Sequence, residues 1–238
     1  MLEINKIHNI EVLKGQDLTN RASPVKHELN KIYCGDCVKI LSLFSDKYFD
    51  LCITDIPFNV GWKYGEYDDN LSDDKYYQNC IGWFTAIERV SKRTIVKIPT
   101  KFSYIVLPAF HKTLKYKWTI IQYSPNTTSH GAFNLHLYTQ YLVSDGEGKT
   151  PKLDFFRNTI NNIKTEHPAE MPIQPIQKLI DWFTEPNDLI LDPFMGSGTT
   201  GEACLKLNRK FVGVELNPKF VEMANKRLKY YIEQTHLS

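Results

Sequence analysis

The segment from Asn187 to Arg227 constrains this chain more than any other. Leu189-Ile190-Leu191 is a short apolar run and reads as a buried strand. It ends on Asp192-Pro193-Phe194, after which Met195-Gly196-Ser197-Gly198 turns the chain into a helix expected from Thr199 to Leu207. Phe211-Val212-Gly213-Val214 reads as a second buried strand, closing on Glu215. Together these form one β–α–β unit with a glycine turn after its first strand and an acid at the tip of its second.

That arrangement points to a nucleoside ligand. Gly196 and Gly198 carry no Cβ, so the backbone can turn tightly and a ligand can lie against it. The first turn of the following helix leaves backbone N–H groups free. Glu215 emerges beside the turn, where a carboxylate can accept both hydroxyls of a ribose. The spacing GSGTTG, with Gly201 as the third glycine, also fits a dinucleotide fingerprint, so NAD stays open on the turn alone. Asp192 argues the other way: a carboxylate there repels a pyrophosphate and suits a cationic amino-acid moiety. DPFMGSGTTG followed by GVELNP closely resembles the S-adenosylmethionine turn of DNA amino-methyltransferases. By that resemblance Asp192, Phe194, Gly196, Ser197, Gly198, Thr199 and Glu215 are cofactor-binding residues.

A second segment carries the chemistry. Tyr48 to Thr54 reads as a buried strand that delivers Asp55-Ile56-Pro57-Phe58 at its carboxyl end, the edge where open α/β sheets bind ligands. The tetrapeptide resembles the (D/N/S)PP(Y/F) motif of amino-methyltransferases, with Ile56 standing where proline is usual. An exocyclic amine on a base is a poor nucleophile, because its lone pair is delocalised into the ring. Two acceptors aimed at its hydrogens can draw the nitrogen toward tetrahedral geometry. The resemblance assigns one to the Asp55 carboxylate and the other to a backbone carbonyl near Ile56-Pro57, held by the rigid proline ring. Phe58 offers a flat face on which an extruded base can stack. The catalytic set is thus Asp55, Pro57 and Phe58; the plain alternative is an ordinary strand-ending Asp-x-Pro turn.

The rest of the chain fits around these two segments. Lys31 to Cys34 reads as a strand ending on Gly35-Asp36-Cys37, and by resemblance Asp36 and Cys37 border the cofactor adenine. Cys34 and Cys37 form a CxxC, but Cys52 and Cys80 make no second pair, so a zinc site is not expected. Five cysteines without framework spacing point to a reducing, cytoplasmic setting. No apolar run reaches membrane-spanning length, and no signal peptide is evident. His167-Pro168-Ala169-Glu170-Met171-Pro172 resembles the family's HPxxxP segment, which places His167 and Pro168 beside the methionine end of the cofactor. Helices are expected from about Asp73 through Val90, over Phe102–Leu114 despite Pro108, and over Phe220–Ile232. Residues 1–30 read as an arm or extra strand, and 31–238 as the methyltransferase domain, with recognition loops within about 61–80 and 124–166. Lys149, Lys152, Arg157 and Lys164 suit phosphate contacts, or else a plain solvated loop.

The catalytic segment precedes the cofactor turn, an order that matches the circularly permuted β group of amino-methyltransferases. The fold so implied is α/β: a Rossmann-like S-adenosylmethionine-dependent methyltransferase fold, with a mostly parallel seven-stranded sheet and helices on both faces. The activity implied is methyl transfer to a base amine in DNA, with Asp55 favouring N6 of adenine over N4 of cytosine. An RNA or protein methyltransferase and a catalytically silent nucleic-acid-binding subunit are the alternatives. DNA is the expected partner; a homodimer and a cognate restriction endonuclease are compatible with the resemblance. A net charge of +2 means that any nucleic-acid surface must be local.

Overall fold

A computed structural model of the chain describes residues 28–61, 63–64, 67–125, 137–158 and 172–235. The proposed arm before residue 28, His167, Pro168, Lys164 and most of the 124–136 loop lie outside the described residues.

The sheet has eight strands, one more than expected. They are β1 (Lys31–Cys34), β2 (Leu51–Asp55), β5 (Thr94–Ile98), β6 (Tyr116–Tyr123), β7 (Tyr138–Ser144), β8 (Phe155–Arg157), β9 (Leu189–Asp192) and β10 (Lys210–Glu215), in the order β1-β10-β9-β2-β5-β7-β6-β8. A separate two-stranded hairpin joins β3 (Lys63–Tyr64) to β4 (Tyr67–Asp68). The extra strand of the main sheet is β8, three residues from a stretch read as irregular, paired parallel to the edge strand β6. Only Phe156 of the three is buried, so no alternating pattern long enough to read as a strand exists there.

Five neighbouring strands, β1, β10, β9, β2 and β5, run parallel. Their carboxyl ends therefore share one edge, and that edge collects Gly35, Glu215, Asp192, Asp55 and Lys97. β7 pairs antiparallel with both β5 and β6.

Each central strand is buried on both faces, as a parallel sheet covered by helices requires. Leu51, Ile53, Ile95, Ile190 and Phe211 pack toward one layer, while Cys52, Val96, Leu191 and Val212 pack toward the other. The first layer holds α4 (Ile173–Phe183), α5 (Thr199–Lys206) and α6 (Pro218–Thr235). The second holds α1 (Cys37–Leu41), α2 (Asp73–Val90) and α3 (Ser103–Thr113). In α2, Tyr76, Cys80, Trp83, Phe84, Ile87 and Val90 recur at helical spacing and are buried, and Asp73 and Asp74 sit favourably at the positive end of the helix dipole. The helix begins inside the 61–80 stretch expected to be a recognition loop, which confines that loop to residues before Asp73. Pro108 is tolerated within α3: it forfeits a bond to the carbonyl of Tyr104, a residue 61% exposed, where water can take its place. On α4 four large apolar side chains, Ile176, Leu179, Ile180 and Phe183, are buried, each contributing about 1.5–3 kcal/mol. A charge at Leu179, which is fully buried, would break that layer. No helix among the described residues is long and apolar enough to cross a membrane.

Candidate active site

The turn after β9 is shaped by two glycines in left-handed conformations, Gly196 at φ 52° and Gly198 at φ 87°. A Cβ on Gly198 would lie 3.0 Å from the Ala224 Cβ of α6, so both the backbone conformation and the packing demand glycine there. Glu215, at the end of β10, braces the turn. Its carboxylate accepts the Gly196 N–H at 2.9 Å and the Asn217 N–H at 2.8 Å. Each oxygen keeps a further lone pair for an incoming hydroxyl. Burial raises its pKa, and the backbone N–H groups of Asn217, Gly196 and Leu216 oppose that shift.

Asp192 is buried deeper, at 2% exposure. Its Oδ1 accepts from the Thr54 hydroxyl at 2.7 Å and the Phe194 N–H at 3.1 Å, and its Oδ2 accepts from the Thr200 hydroxyl at 2.5 Å. Burial pushes its pKa up to about 6, with the charge of Asp55 adding to the rise and the hydrogen bonds opposing it. Asp192 thus ties β2, β9 and α5 together and projects its charge into the site without a free face.

Asp55 ends β2. Its Oδ2 receives the Lys97 ammonium at 2.6 Å, while its buried Oδ1 has no hydrogen-bond partner. Burial raises its pKa and Lys97 holds it down. The backbone after it is anchored in steps. Tyr76 donates its hydroxyl to the Pro57 carbonyl at 2.7 Å. The Asp69 carboxylate accepts the N–H groups of Asn59 and Val60, and the Asn59 amide exchanges two bonds with Leu71. Phe58 is held half-buried between these anchors, with Lys97 Nζ 5.0 Å from its ring centroid. The Tyr76 hydroxyl thus takes one of the two lone pairs of the Pro57 carbonyl.

Asp36 caps α1 by accepting the Lys39 N–H at 2.9 Å, and burial drives the Cys37 thiol up to about 12, which leaves it unreactive. The five cysteines are free thiols, and no metal-binding cluster exists among the described residues.

These groups meet around one cavity of about 310 Å³. Of the residues singled out in the sequence, Asp36, Cys37, Asp55, Pro57, Phe58, Asp192, Phe194, Gly196, Ser197, Thr199 and Glu215 line it; Gly198 does not, and shapes the turn from behind. Sequence reasoning missed Asn79, Trp83, Lys97, Leu216 and Phe220, which also line it. The Trp83 ring meets Phe194 edge-on at 5.1 Å and forms part of the wall. Asn79 lies one helical turn before Trp83, so the signal was present in the spacing. Among the described residues, four carboxylates, Asp36, Asp55, Asp192 and Glu215, line the cavity with one ammonium, Lys97. That balance suits a cation and opposes a pyrophosphate. The residues therefore fit a nucleoside with a cationic centre: Glu215 for ribose, apolar walls for the base, and an anionic surround for the positive charge.

The β6–β8 edge separates Lys149 and Lys152 from Arg157. β7 runs against its neighbours, so Lys149 and Lys152, which follow it, lie at the sheet edge opposite the cavity. Lys149 is engaged there, donating to the Asp181 carbonyl of α4 at 2.9 Å. β8 runs back, and the pairing of Arg157 with Tyr123 returns Arg157 to the cavity edge.

Comparison with known proteins places this geometry. A DNA methylase family profile of the N6 and N4 type matches residues 109–226, a span that includes the cofactor turn. The type II methyltransferase M.HpaI of Haemophilus parainfluenzae is 28% identical over 237 residues, covering 83% of this chain and 74% of that protein. M.ScaI of Streptomyces caespitosus is 23% identical, covering 91% and 90%. Among solved structures, the PvuII cytosine-N4-specific DNA methyltransferase superposes with a TM-score of 0.68 at 18% identity, covering 82% of this chain and 85% of that one. The M1.HpyAVI–SAM complex gives 0.62 at 24% identity, covering 83% and 98%. Just under half of the chain thus matches the N6/N4 DNA methylase family profile, and its fold is shared with solved DNA methyltransferases.

Proposed function

We propose that this protein transfers a methyl group from S-adenosylmethionine to the N6 amine of adenine in DNA. The observation that carries the reading is the Asp55 carboxylate, which lines the same cavity as Glu215 and the glycine turn and has one donor only. When bound, S-adenosylmethionine supplies a methyl group on a positively charged sulfur. Glu215 and the Gly196–Ser197 backbone hold the nucleoside part, and Trp83, Phe194 and Phe220 enclose it. The charges of Asp192 and Asp55 favour the cationic centre. Asp55 and the Ile56 carbonyl accept the two hydrogens of the base amine, which makes its lone pair available, while Phe58 stacks the extruded ring.

The choice of adenine rests on the leading Asp55, since in the resembling family Asp goes mostly with adenine and Ser mostly with cytosine. N4 of cytosine is the second reading, favoured by the likeness to the PvuII fold and by the departure at Ile56. Nucleoside mass spectrometry of duplex DNA incubated with the protein and deuteromethyl-labelled cofactor decides between them. N6-methyladenine is the expected product. Labelled N4-methylcytosine alone would transfer the assignment to cytosine, and labelling of RNA but not DNA would overturn the substrate class.

A further inference from the structure

Lys97 stands out because its strand gives it no ordinary reason to be there. β5 reads TIVKI, and Thr94, Ile95, Val96 and Ile98 are all buried. A lysine in such a strand costs free energy unless its charge is paired. Its partner is set by the sheet itself: Asp55 and Lys97 are Cα partners across the parallel β2–β5 pair, at the carboxyl edge. Both side chains are 20% exposed, and their charged ends meet at 2.6 Å.

The charges around Asp55 make this pairing decisive. Asp192 on β9 repels it, and Tyr141 on β7, itself held protonated mainly by burial, offers no positive charge. Asp55 Oδ1 has no hydrogen-bond partner. Lys97 on β5 is thus the cation that opposes burial at this carboxylate. Were Asp55 to take up a proton, one oxygen would become a donor and the other only a neutral, weaker acceptor for an amine. A carboxylate has roughly four acceptor positions, so one lysine bond leaves room for the substrate.

We propose that Lys97 is a positioning residue: it pins one oxygen of Asp55 and keeps the carboxylate ionised, so that the base amine meets a charged acceptor. The inference rests on the reading of Asp55 as that acceptor. Because the lysine also lies over Phe58, it links the acceptor to the stacking ring.

The test compares wild type with Lys97→Met and Lys97→Arg in the full chain. The first readout needs no turnover: carbon-13 NMR titration of the Asp55 carboxyl in the free protein. The expected result is a midpoint raised by about one pH unit or more in Lys97→Met, with Lys97→Arg staying near wild type. The second readout is single-turnover methylation across pH with cofactor and DNA saturating. The acid limb should move upward in Lys97→Met, giving about a tenfold deficit at low pH that closes as pH rises. An unchanged carboxyl midpoint overturns the proposal. So does a Lys97→Met protein that methylates faster and binds DNA more tightly, since the lysine would then be an occupant that the base must expel. Asp55→Ala, run in parallel, separates the two readings, because it removes both acceptor oxygens. Near-normal activity in that variant removes Asp55 as the acceptor, while the titration in the Lys97 variants still reports whether Lys97 controls its charge.

Discussion

Asp192 and Asp55 end neighbouring parallel strands, and they are treated in opposite ways. Asp192 receives two threonine hydroxyls and a backbone N–H, so its oxygens are satisfied by the protein before any ligand arrives. Asp55 receives one lysine and has an oxygen without a donor. The first acid is part of the scaffold and acts on a ligand through its charge. The second has acceptor capacity that no described residue fills, open to the proposed substrate. The contrast separates a binding half, rigid and complete, from a reacting half, held in place but chemically open.

The sharpest way to break the contrast is to remove the open acceptor. Asp55→Ala should lower single-turnover methylation by about 100- to 1,000-fold, the scale for deleting one preorganised polar partner of a reacting group. Calorimetry with S-adenosylhomocysteine should show binding within about twofold of wild type, a change worth less than RT. Near-normal turnover would show that the two halves are not divided as described.

The satisfied acid makes a prediction about pH. Its pKa is raised from 3.8 to about 6 in the folded protein. The folded state therefore binds more protons than the unfolded chain between those values, and stability falls as pH rises through that window. Below it the ionisation cost is absent; above it the cost is complete, at about 3 kcal/mol on the scale of 1.36 kcal/mol per pKa unit. In Asp192→Asn this part of the pH dependence should vanish, while affinity for the cationic cofactor drops. Thermal unfolding at several pH values between 4 and 7 provides the check. Parallel melting curves for the two proteins would mean that Asp192 is not a charge held at a cost.

How much of this was legible in the sequence depended on whether the cause was local. The β9–turn–α5–β10 unit could be read because its strands, glycines and acid lie within one stretch, and the structure places them as expected. β8 could not be read, since a strand with one buried residue exists only through its pairing with β6. The direction of β7 was also hidden, and it alone sends Lys149 and Lys152 to the far edge. Periodicity placed Trp83 inside, but a side chain facing the core and one walling a cavity have the same spacing. Lys97 was visible as a lone charge in an apolar strand; its partner was not, because the β2–β5 register is a tertiary fact.

Glu215 sharpens the comparison within the binding half. It is already bonded to the turn, so Glu215→Ala should both loosen the Gly196 backbone and remove the ribose acceptor. Affinity for S-adenosylhomocysteine should fall by about 1.5–3 kcal/mol, as for hydrogen bonds to a charged group. Glu215→Gln keeps one acceptor oxygen and should lose less. Equal losses in the two variants would indicate that the charge, and not the acceptor geometry, is what binds.

The smallest effect belongs to Phe58, on the reacting side. Its backbone is secured by the Tyr76 bond to Pro57 before it and the Asp69 and Leu71 bonds to Asn59 after it, so truncating the ring should leave the loop in place. What is lost is a stacking face, worth about 1–3 kcal/mol for a base on an aromatic side chain. Phe58→Ala should therefore weaken capture of the extruded base, and cofactor binding should be untouched because Glu215 and the glycine turn form without it. Phe58→Tyr should behave as wild type, since a flat ring is all that stacking uses. A duplex with 2-aminopurine at the target position reads this directly: the base brightens when it leaves the helix. Equal brightening with Phe58→Ala and wild type would take the ring out of the reacting half and leave that half to Asp55, Lys97 and the Ile56 carbonyl.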